Sequence, residues 1–206
     1  ATTFNQKAEV LYQQNVLSVM EEVWHKEGER IDLVIFLNGI AIFTFELKCN
    51  TSGQNYEDAI RQYKFERDYK TRLLKFKAGC LAHFAMDLNE VYMCTNLKGK
   101  SSFFLPFNKG CGVGIHSGKG NPHNENGINV SYMWEDILKK DTVLYLIDKI
   151  IFLQKETKKD PDTGKRVTKE TLIFPRYHQF NAVRKLVADV AEHHSEKNYL
   201  IEHSAG

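Results

Sequence analysis

The sequence has few cysteines, almost no net charge and no long apolar run. Its 206 residues include 28 Lys and Arg against 26 Asp and Glu, a net charge of +2. This balance argues only weakly for a nucleic-acid partner, so any DNA-binding surface must be a local patch. The four cysteines lack Cys-x-x-Cys spacing, which favours reduced thiols in or near the core over a zinc site or disulfides.

The sequence also shows no membrane-spanning or membrane-targeting segment. No apolar run is long enough to span a bilayer, and no stretch has the pattern of a signal peptide. We therefore expect a cytoplasmic protein without a membrane partner.

A Gly- and Asn-rich loop of unusual length occupies residues 108–130. It does not contain the G-x-x-x-x-G-K-[ST] pattern of a phosphate-binding loop. Loops of this length are functional or mobile more often than idle. We consider that Lys109, His116, Lys119 and His123 could touch a DNA backbone.

Two strand-like apolar runs, residues 31–37 and 40–47, flank the dipeptide Asn38-Gly39. Asn-Gly between such runs is typical of a tight β-hairpin. Both runs are apolar on both faces, which indicates a hairpin inside a sheet that other elements cover.

Three charged residues, Asp32, Glu46 and Lys48, interrupt this apolar hairpin. Glu46 and Lys48 are two residues apart and share one face of their strand. A strict two-residue turn would pair Asp32 with Phe45 and put its carboxylate on the other face. One extra loop residue, with Gly39 left-handed in a bulge, would instead set Asp32 opposite Glu46.

Two carboxylates and an ammonium on one buried face are costly unless they bind something. Asp32 and Glu46 would suit a hard divalent cation such as Mg²⁺. Lys48 could orient a water nucleophile or balance charge on a phosphate. The alternative is a buried ion pair at the end of a strand.

The flanking sequence predicts the other elements of an α/β domain. Residues 4–15 indicate a short helix and residues 16–25 a strand, although a helix through both is an alternative. Residues 54–75 have helical spacing. His83 is expected to be a hydrogen-bonded core residue. Further strands are predicted over residues 80–86, 91–96 and 101–107, and a helix over residues 131–153.

The order Asp32, strand-turn-strand, Glu46-x-Lys48 resembles the PD-(D/E)xK nuclease motif. The phrase IDLVIFLNGIAIFTFELK in particular resembles the nuclease domain in the restriction (R) subunit of type I restriction enzymes. Similar phrases continue in order along nearly the whole chain: AIRQY at 59–63, AHFAMD at 82–87, FLPFN at 104–108 and FPRYHQ at 174–179.

The resemblance implies a PD-(D/E)xK restriction-endonuclease-like α/β core, a mixed sheet flanked by helices, over residues 1–153. Residues 154–171 would be a linker, as an exposed turn or β-ribbon. Residues 172–206 would begin a RecA-like helicase motor, truncated before its phosphate-binding Lys. We therefore expect no ATP hydrolysis by this chain alone.

The resemblance also implies an activity, which is Mg²⁺-dependent hydrolysis of duplex DNA. In the full-length parent this cleavage is coupled to ATP-driven translocation. The implied partners are DNA and the methylation (M) and specificity (S) subunits, with S-adenosylmethionine entering only through that complex. Two alternatives are a non-catalytic DNA-binding or subunit-docking domain of the same fold and a stand-alone repair-type nuclease.

The implied site residues fall into three groups. Asp32 and Glu46 bind Mg²⁺, and Lys48 assists the attacking water. The DNA groove is lined by Gln62, Tyr63 and Arg67. The nucleotide site of the parent uses Arg176, Gln179 and Gly206.

In many related nucleases a Gln-x-x-x-Tyr pattern occupies the helix that follows the motif. Tyr63 fits its tyrosine, but Ala59 stands where the Gln is expected. Gln62 or Gln54 is the candidate substitute.

Overall fold

The structure is a computed structural model that describes residues 5–111, 119–159, 161, 163–194 and 197–201. The chain contains both helices and strands, as the sequence predicted. The elements are α1 (Gln6–Gln13), β1 (Leu17–Lys26), β2 (Glu29–Leu37), β3 (Ile40–Leu47), α2 (Tyr56–Phe65), β4 (Ala82–Met86), β5 (Val91–Cys94), β6 (Leu105–Pro106), α3 (Lys140–Tyr145), β7 (Phe152–Lys159), β8 (Arg166–Ile173) and α4 (Tyr177–His193).

Six strands form one mixed sheet in the order β1-β2-β3-β4-β5-β6. Neighbouring strands are antiparallel except β3 and β4, which run parallel and are joined by the crossover that contains α2. The predicted mixed sheet flanked by helices is confirmed. The strand predicted over residues 16–25 is also confirmed, because β1 spans Leu17–Lys26.

The predicted hairpin at Asn38-Gly39 is confirmed, but its bulge lies elsewhere than expected. Both turn residues have positive φ, 51° and 78°, as a two-residue type I′ turn requires. Leu37 pairs directly with Ile40, so no extra residue enters the turn. The prediction of a bulge at Gly39 is therefore wrong.

The extra residue is Ile42, inside β3. The strand register shifts there, from Phe36 opposite Ala41 to Ile35 opposite Phe43. Ile42 is 5% exposed and packs in the core. Burial of its side chain explains why the irregularity lies in the strand, where it stabilises the core, and not in the exposed turn.

An aromatic core fills one side of the sheet. Phe45 stacks on Phe84 with ring centroids 4.8 Å apart, and Phe43 meets Phe84 edge to face at 5.8 Å. Phe174 and Phe180, from the segment predicted to begin a motor, are buried in this same cluster. The predicted domain boundaries stay predictions, but residues 172–180 pack on the sheet.

The opposite side of the sheet is covered by α2. Ala59 and Tyr63 of this helix are fully buried against Val34 and Ala85. A capping box begins the helix: the Asn55 side chain accepts backbone N–H bonds while Asp58 bonds back to the Asn55 N–H.

Two predicted helices are shorter than their spacing indicated. The helix predicted over 54–75 ends at Phe65, because the next residues turn toward the sheet, where the Asp68 N–H donates to Glu29 Oε2 (2.7 Å). The helix predicted over 131–153 is interrupted by π-helical turns at Met133–Ile137 and Leu146–Ile150. Its predicted end becomes strand β7.

The predicted edge strand over 101–107 shrinks to Leu105–Pro106. Proline lacks the N–H that a longer ladder needs. The antiparallel ribbon of β7 and β8 lies mostly within the range 154–171, so the β-ribbon alternative is confirmed. Within the described part of the chain, no helix has both the length and the apolarity to cross a bilayer.

Candidate active site

Asp32 and Glu46 lie side by side on the sheet face that α2 covers. Leu33 pairs with Phe45 and Val34 with Thr44, so the register places Asp32 level with Glu46 on one face. The one-residue offset at the bulge produces this alignment, because without it Glu46 would point to the opposite face. The tertiary structure thus brings the two predicted carboxylates together.

Glu46 is held by a buried bidentate ion pair. Arg67 Nε donates to Oε1 at 2.6 Å and Nη2 donates to Oε2 at 3.2 Å. The Glu46 side chain is 0% exposed. Burial raises the pKa of Glu46 to about 7, the charges of Arg67 and Lys48 lower this pKa, and the charge of Asp32 raises it.

Asp32 is partly buried and keeps one oxygen available. Its Oδ2 accepts the Leu47 backbone N–H at 2.7 Å, which fixes the carboxylate against β3. Its other oxygen receives no hydrogen bond from the residues that the structure describes.

Lys48 lies just past β3, and its positive charge acts on Glu46. Its backbone N–H donates to the Met86 carbonyl at 2.9 Å, which ties it to the end of β4. Its side chain forms no ion pair with any residue in the described ranges. The buried ion pair considered from the sequence does exist, but its cation is Arg67 and not Lys48.

The three predicted groove residues have different surroundings. Tyr63 is fully buried and hydrogen-bonds Thr44 Oγ1 through its hydroxyl at 2.8 Å, so it does not line a groove in this structure. Arg67 is 10% exposed and committed to Glu46. Gln62 Oε1 is buried and has no hydrogen-bond partner among the described residues.

His83 belongs to a buried network behind the site. Its Nδ1 is 2.8 Å from Thr44 Oγ1, which also contacts Tyr63. Burial lowers the pKa of His83 to about 3, so the imidazole is neutral near pH 7. The prediction of a hydrogen-bonded core histidine is confirmed.

Sequence reasoning missed the contacts that anchor the segment carrying Arg67. Glu29 Oε2 accepts the Asp68 N–H at 2.7 Å. Lys26 Nζ bridges Glu29 Oε1 (3.0 Å) and Asp68 Oδ2 (3.2 Å). The pairing of Lys26 with Glu29 across the β1–β2 turn was visible in the sequence, but nothing there linked it to Asp68.

The donor set limits which metal the site could hold. Among the described residues, no three His, Cys, Asp or Glu side chains gather as a ligand cluster. Mg²⁺ is commonly held by one or two carboxylates, with waters and substrate phosphates completing its shell. Asp32 and Glu46 fit that ion, provided that Arg67 yields at least one Glu46 oxygen.

The residues predicted for a nucleotide site have structural partners in part. The Arg176 backbone N–H donates to Gln179 Oε1 at 2.9 Å, which caps α4. Arg176 Nε is buried and finds no hydrogen-bond partner in the part of the chain that the structure describes. Gly206 lies outside the described residues, as does His116 of the long loop.

Residues 8–102 match the sequence model of the family described as type I restriction enzyme R protein N terminus. Over these residues the chain is similar to that family, and we call them the R-protein family segment. The R-protein family segment runs from α1 past β5 and contains Asp32, Glu46, Lys48 and Arg67. The resemblance found in the sequence is therefore confirmed.

A similar protein is also described as part of a type I restriction enzyme. A Methanocaldococcus jannaschii protein described as the type I restriction enzyme MjaVIIIP endonuclease subunit is 26% identical over 200 residues. That alignment covers 91% of this chain but 16% of the relative, so the chain spans about a sixth of its length. No solved structure matches the chain.

Proposed function

We propose that this chain carries the Mg²⁺-dependent endonuclease of a type I restriction enzyme R subunit, on a PD-(D/E)xK core. The observation that supports the proposal is the alignment of Asp32 with Glu46 on one face, with Lys48 two residues further. All three lie in the R-protein family segment. The proposed reaction is hydrolysis of phosphodiesters in duplex DNA.

Asp32 and Glu46 would hold the cation, and each carboxylate has a distinct part. Asp32 offers a fixed, partly exposed carboxylate from β2, since Leu47 orients it. Glu46 offers a buried carboxylate whose charge is costly without a cation nearby. When bound, Mg²⁺ would supply positive charge that stabilises negative charge developing on the scissile phosphate.

Lys48 is the proposed partner of the attacking water. Its ammonium is not used in an ion pair within the described ranges, and its backbone is tied to β4. It can therefore donate hydrogen bonds to a water or to a phosphate oxygen beside the carboxylates. Arg67 would act as the counter-charge that opposes the rise in the pKa of the buried Glu46.

One observation favours a second function, a non-catalytic DNA-binding or subunit-docking domain. Arg67 engages both oxygens of Glu46, an arrangement that would serve as a purely structural ion pair. The two functions differ in whether Mg²⁺ competes with Arg67 for that carboxylate.

The family suggests the wider setting of this activity. We propose that the parent protein couples cleavage to ATP-driven translocation through a motor beginning near residue 172, after a linker at 154–171. Its partners would be the M and S subunits, with S-adenosylmethionine bound only by that complex, in the cytoplasm. A stand-alone repair nuclease is disfavoured by the match to R-protein sequences.

Nicking of supercoiled plasmid tests the proposal. We expect the protein to nick plasmid in the presence of Mg²⁺ but not in EDTA. The nicking rate of Asp32→Ala should be lower than that of wild type by a factor of at least about 100. Glu57→Ala, an exposed acid in the first turn of α2, is the matched control and should keep wild-type activity. Equal nicking by Asp32→Ala would overturn the nuclease assignment and leave the docking function.

A further inference from the structure

The β7–β8 ribbon has both of its faces free along most of its length. Eight residues of each strand pair in continuous register, from Phe152 opposite Ile173 to Lys159 opposite Arg166. Side chains from 154 to 159 and from 165 to 169 are exposed. Among the described residues, the base of the ribbon is anchored by burial of Phe174, by the bond from Thr95 Oγ1 to the Leu172 carbonyl (3.0 Å) and by the ion pair of Lys77 with Glu170. The ribbon is roughly 25 Å long, at about 3.4 Å per residue.

Cations dominate the free part of this ribbon. Residues 152–173 contain six Lys and Arg and four acids, of which Asp160 and Asp162 lie outside the described residues. Glu170 forms ion pairs with Lys155 (3.2 Å) and Lys77. Glu156 forms an ion pair with Lys158 (3.4 Å). The remaining cations are Lys159, Lys165, Arg166 and Lys169.

Two of these cations oppose each other directly. Lys159 and Arg166 are cross-strand partners and therefore share one face of the ribbon. Neither has an ion pair with any residue that the structure describes. Lys169 stands opposite Glu156, but that carboxylate bonds Gln154 (3.0 Å) and Lys158, and Lys169 makes no ion pair in the described ranges.

Like charges directly opposite in a ladder cost stability unless an anion lies between them. A two-stranded ribbon is also the shape that the major groove of duplex DNA admits, with phosphates on both sides. Cations on both faces of the ribbon could therefore contact phosphates on both sides of the groove.

We propose that the β7–β8 ribbon is a DNA-binding arm, in which Lys159, Arg166 and Lys169 contact the phosphate backbone of duplex DNA. The inference rests on the proposed function only in taking duplex DNA as the substrate. Contacts to phosphates carry no sequence information, so the arm increases affinity for any duplex and holds it beside the sheet.

Fluorescence anisotropy with a labelled duplex, in EDTA and over a series of salt concentrations, tests the arm without cleavage. The test variant is Lys159→Gln/Arg166→Gln/Lys169→Gln. The matched control is Lys7→Gln/Lys139→Gln/Lys185→Gln, which removes the same charge from exposed sites outside the ribbon. We expect the test variant to bind at least about 10-fold more weakly, with a salt slope lower by about 2 to 3, and the control to resemble wild type.

A second variant, which is expected to bind DNA more tightly, tests the arm even if the triple variant does not fold. Glu156→Gln frees Lys158 from its ion pair and removes the negative charge opposite Lys169, so this variant should bind DNA more tightly and with a steeper salt dependence. If the triple variant is unfolded by circular dichroism, this variant decides the question. Unchanged affinity of Glu156→Gln would then overturn the arm.

Two other results would also overturn the proposal. The ribbon triple variant could match the control triple variant in affinity and salt slope. Alternatively, the ribbon cations could be required for binding to phosphatidylserine vesicles but not to DNA. By contrast, ribbon-dependent DNA binding without any Mg²⁺-dependent nicking would support the arm while refuting the nuclease function.

Discussion

Arg67 donates hydrogen bonds to both carboxylate oxygens of Glu46, at 2.6 Å and 3.2 Å, and lies 21 residues further along the chain. The carboxylate is completely buried and the guanidinium nearly so. This pair joins the loop after α2 to the end of β3. The function of the site depends on whether Glu46 bonds Arg67 alone or also binds a metal ion.

Arg67→Ala should destabilise the protein strongly. Removal of the guanidinium leaves a buried carboxylate uncompensated, which typically costs about 3 to 5 kcal/mol. Arg61→Ala is the control, because Arg61 is 64% exposed and 3.9 Å from Glu66, and should cost at most about 1 kcal/mol. Urea denaturation of both variants measures the difference, and equal free energies of unfolding would contradict a structural role for the pair.

Mg²⁺ should stabilise Arg67→Ala more than wild type. Without Arg67, the cation has both Glu46 oxygens available and replaces the lost positive charge. A ligand at 100 times its Kd adds about 2.7 kcal/mol to the free energy of unfolding. Thermal unfolding with and without Mg²⁺ measures this gain, and Arg67→Ala/Asp32→Ala should lose it. If Mg²⁺ raises the Tm of wild type and Arg67→Ala equally, Glu46 is not part of a metal site.

Lys48→Ala should abolish cleavage while the fold persists. Glu46 already has a counter-ion in Arg67, so loss of Lys48 strands no buried charge. We expect at least about a 100-fold loss of plasmid nicking and a stability change within about 1 kcal/mol. Lys75→Ala, at an exposed lysine, controls for lost charge. Cleavage by Lys48→Ala near the wild-type rate would end the proposal that Lys48 is catalytic.

His83 should make the protein acid-sensitive. Its pKa is lowered from 6.5 to about 3 by burial, so the unfolded chain binds more protons than the folded one between those values. Stability contributed by the neutral imidazole is complete above about pH 6.5 and is lost as pH falls toward 3, by up to roughly 5 kcal/mol. His83→Asn, which keeps a group near Nδ1, should flatten this slope in denaturation curves across that range. An identical pH dependence in the variant would refute the assignment.

Sequence alone determined the elements whose signals are local. Asn38-Gly39 predicted the hairpin, since few residues other than Asn and Gly accept positive φ at both turn positions. Alternation placed Glu46 and Lys48 together, and the run around His83 predicted a buried strand. The resemblance to R proteins could be inferred as well, because the phrases that carry it are continuous runs of sequence.

Tertiary structure decided what local signals could not. The bulge moved from Gly39 to Ile42 because the core buries that side chain, and the alignment of Asp32 with Glu46 depends on this shift. The counter-ion of Glu46 is Arg67, which spacing had placed on a longer helix. A periodic pattern records which face a residue occupies, but a contact between residues far apart depends on where the chain folds back, and only packing specifies that.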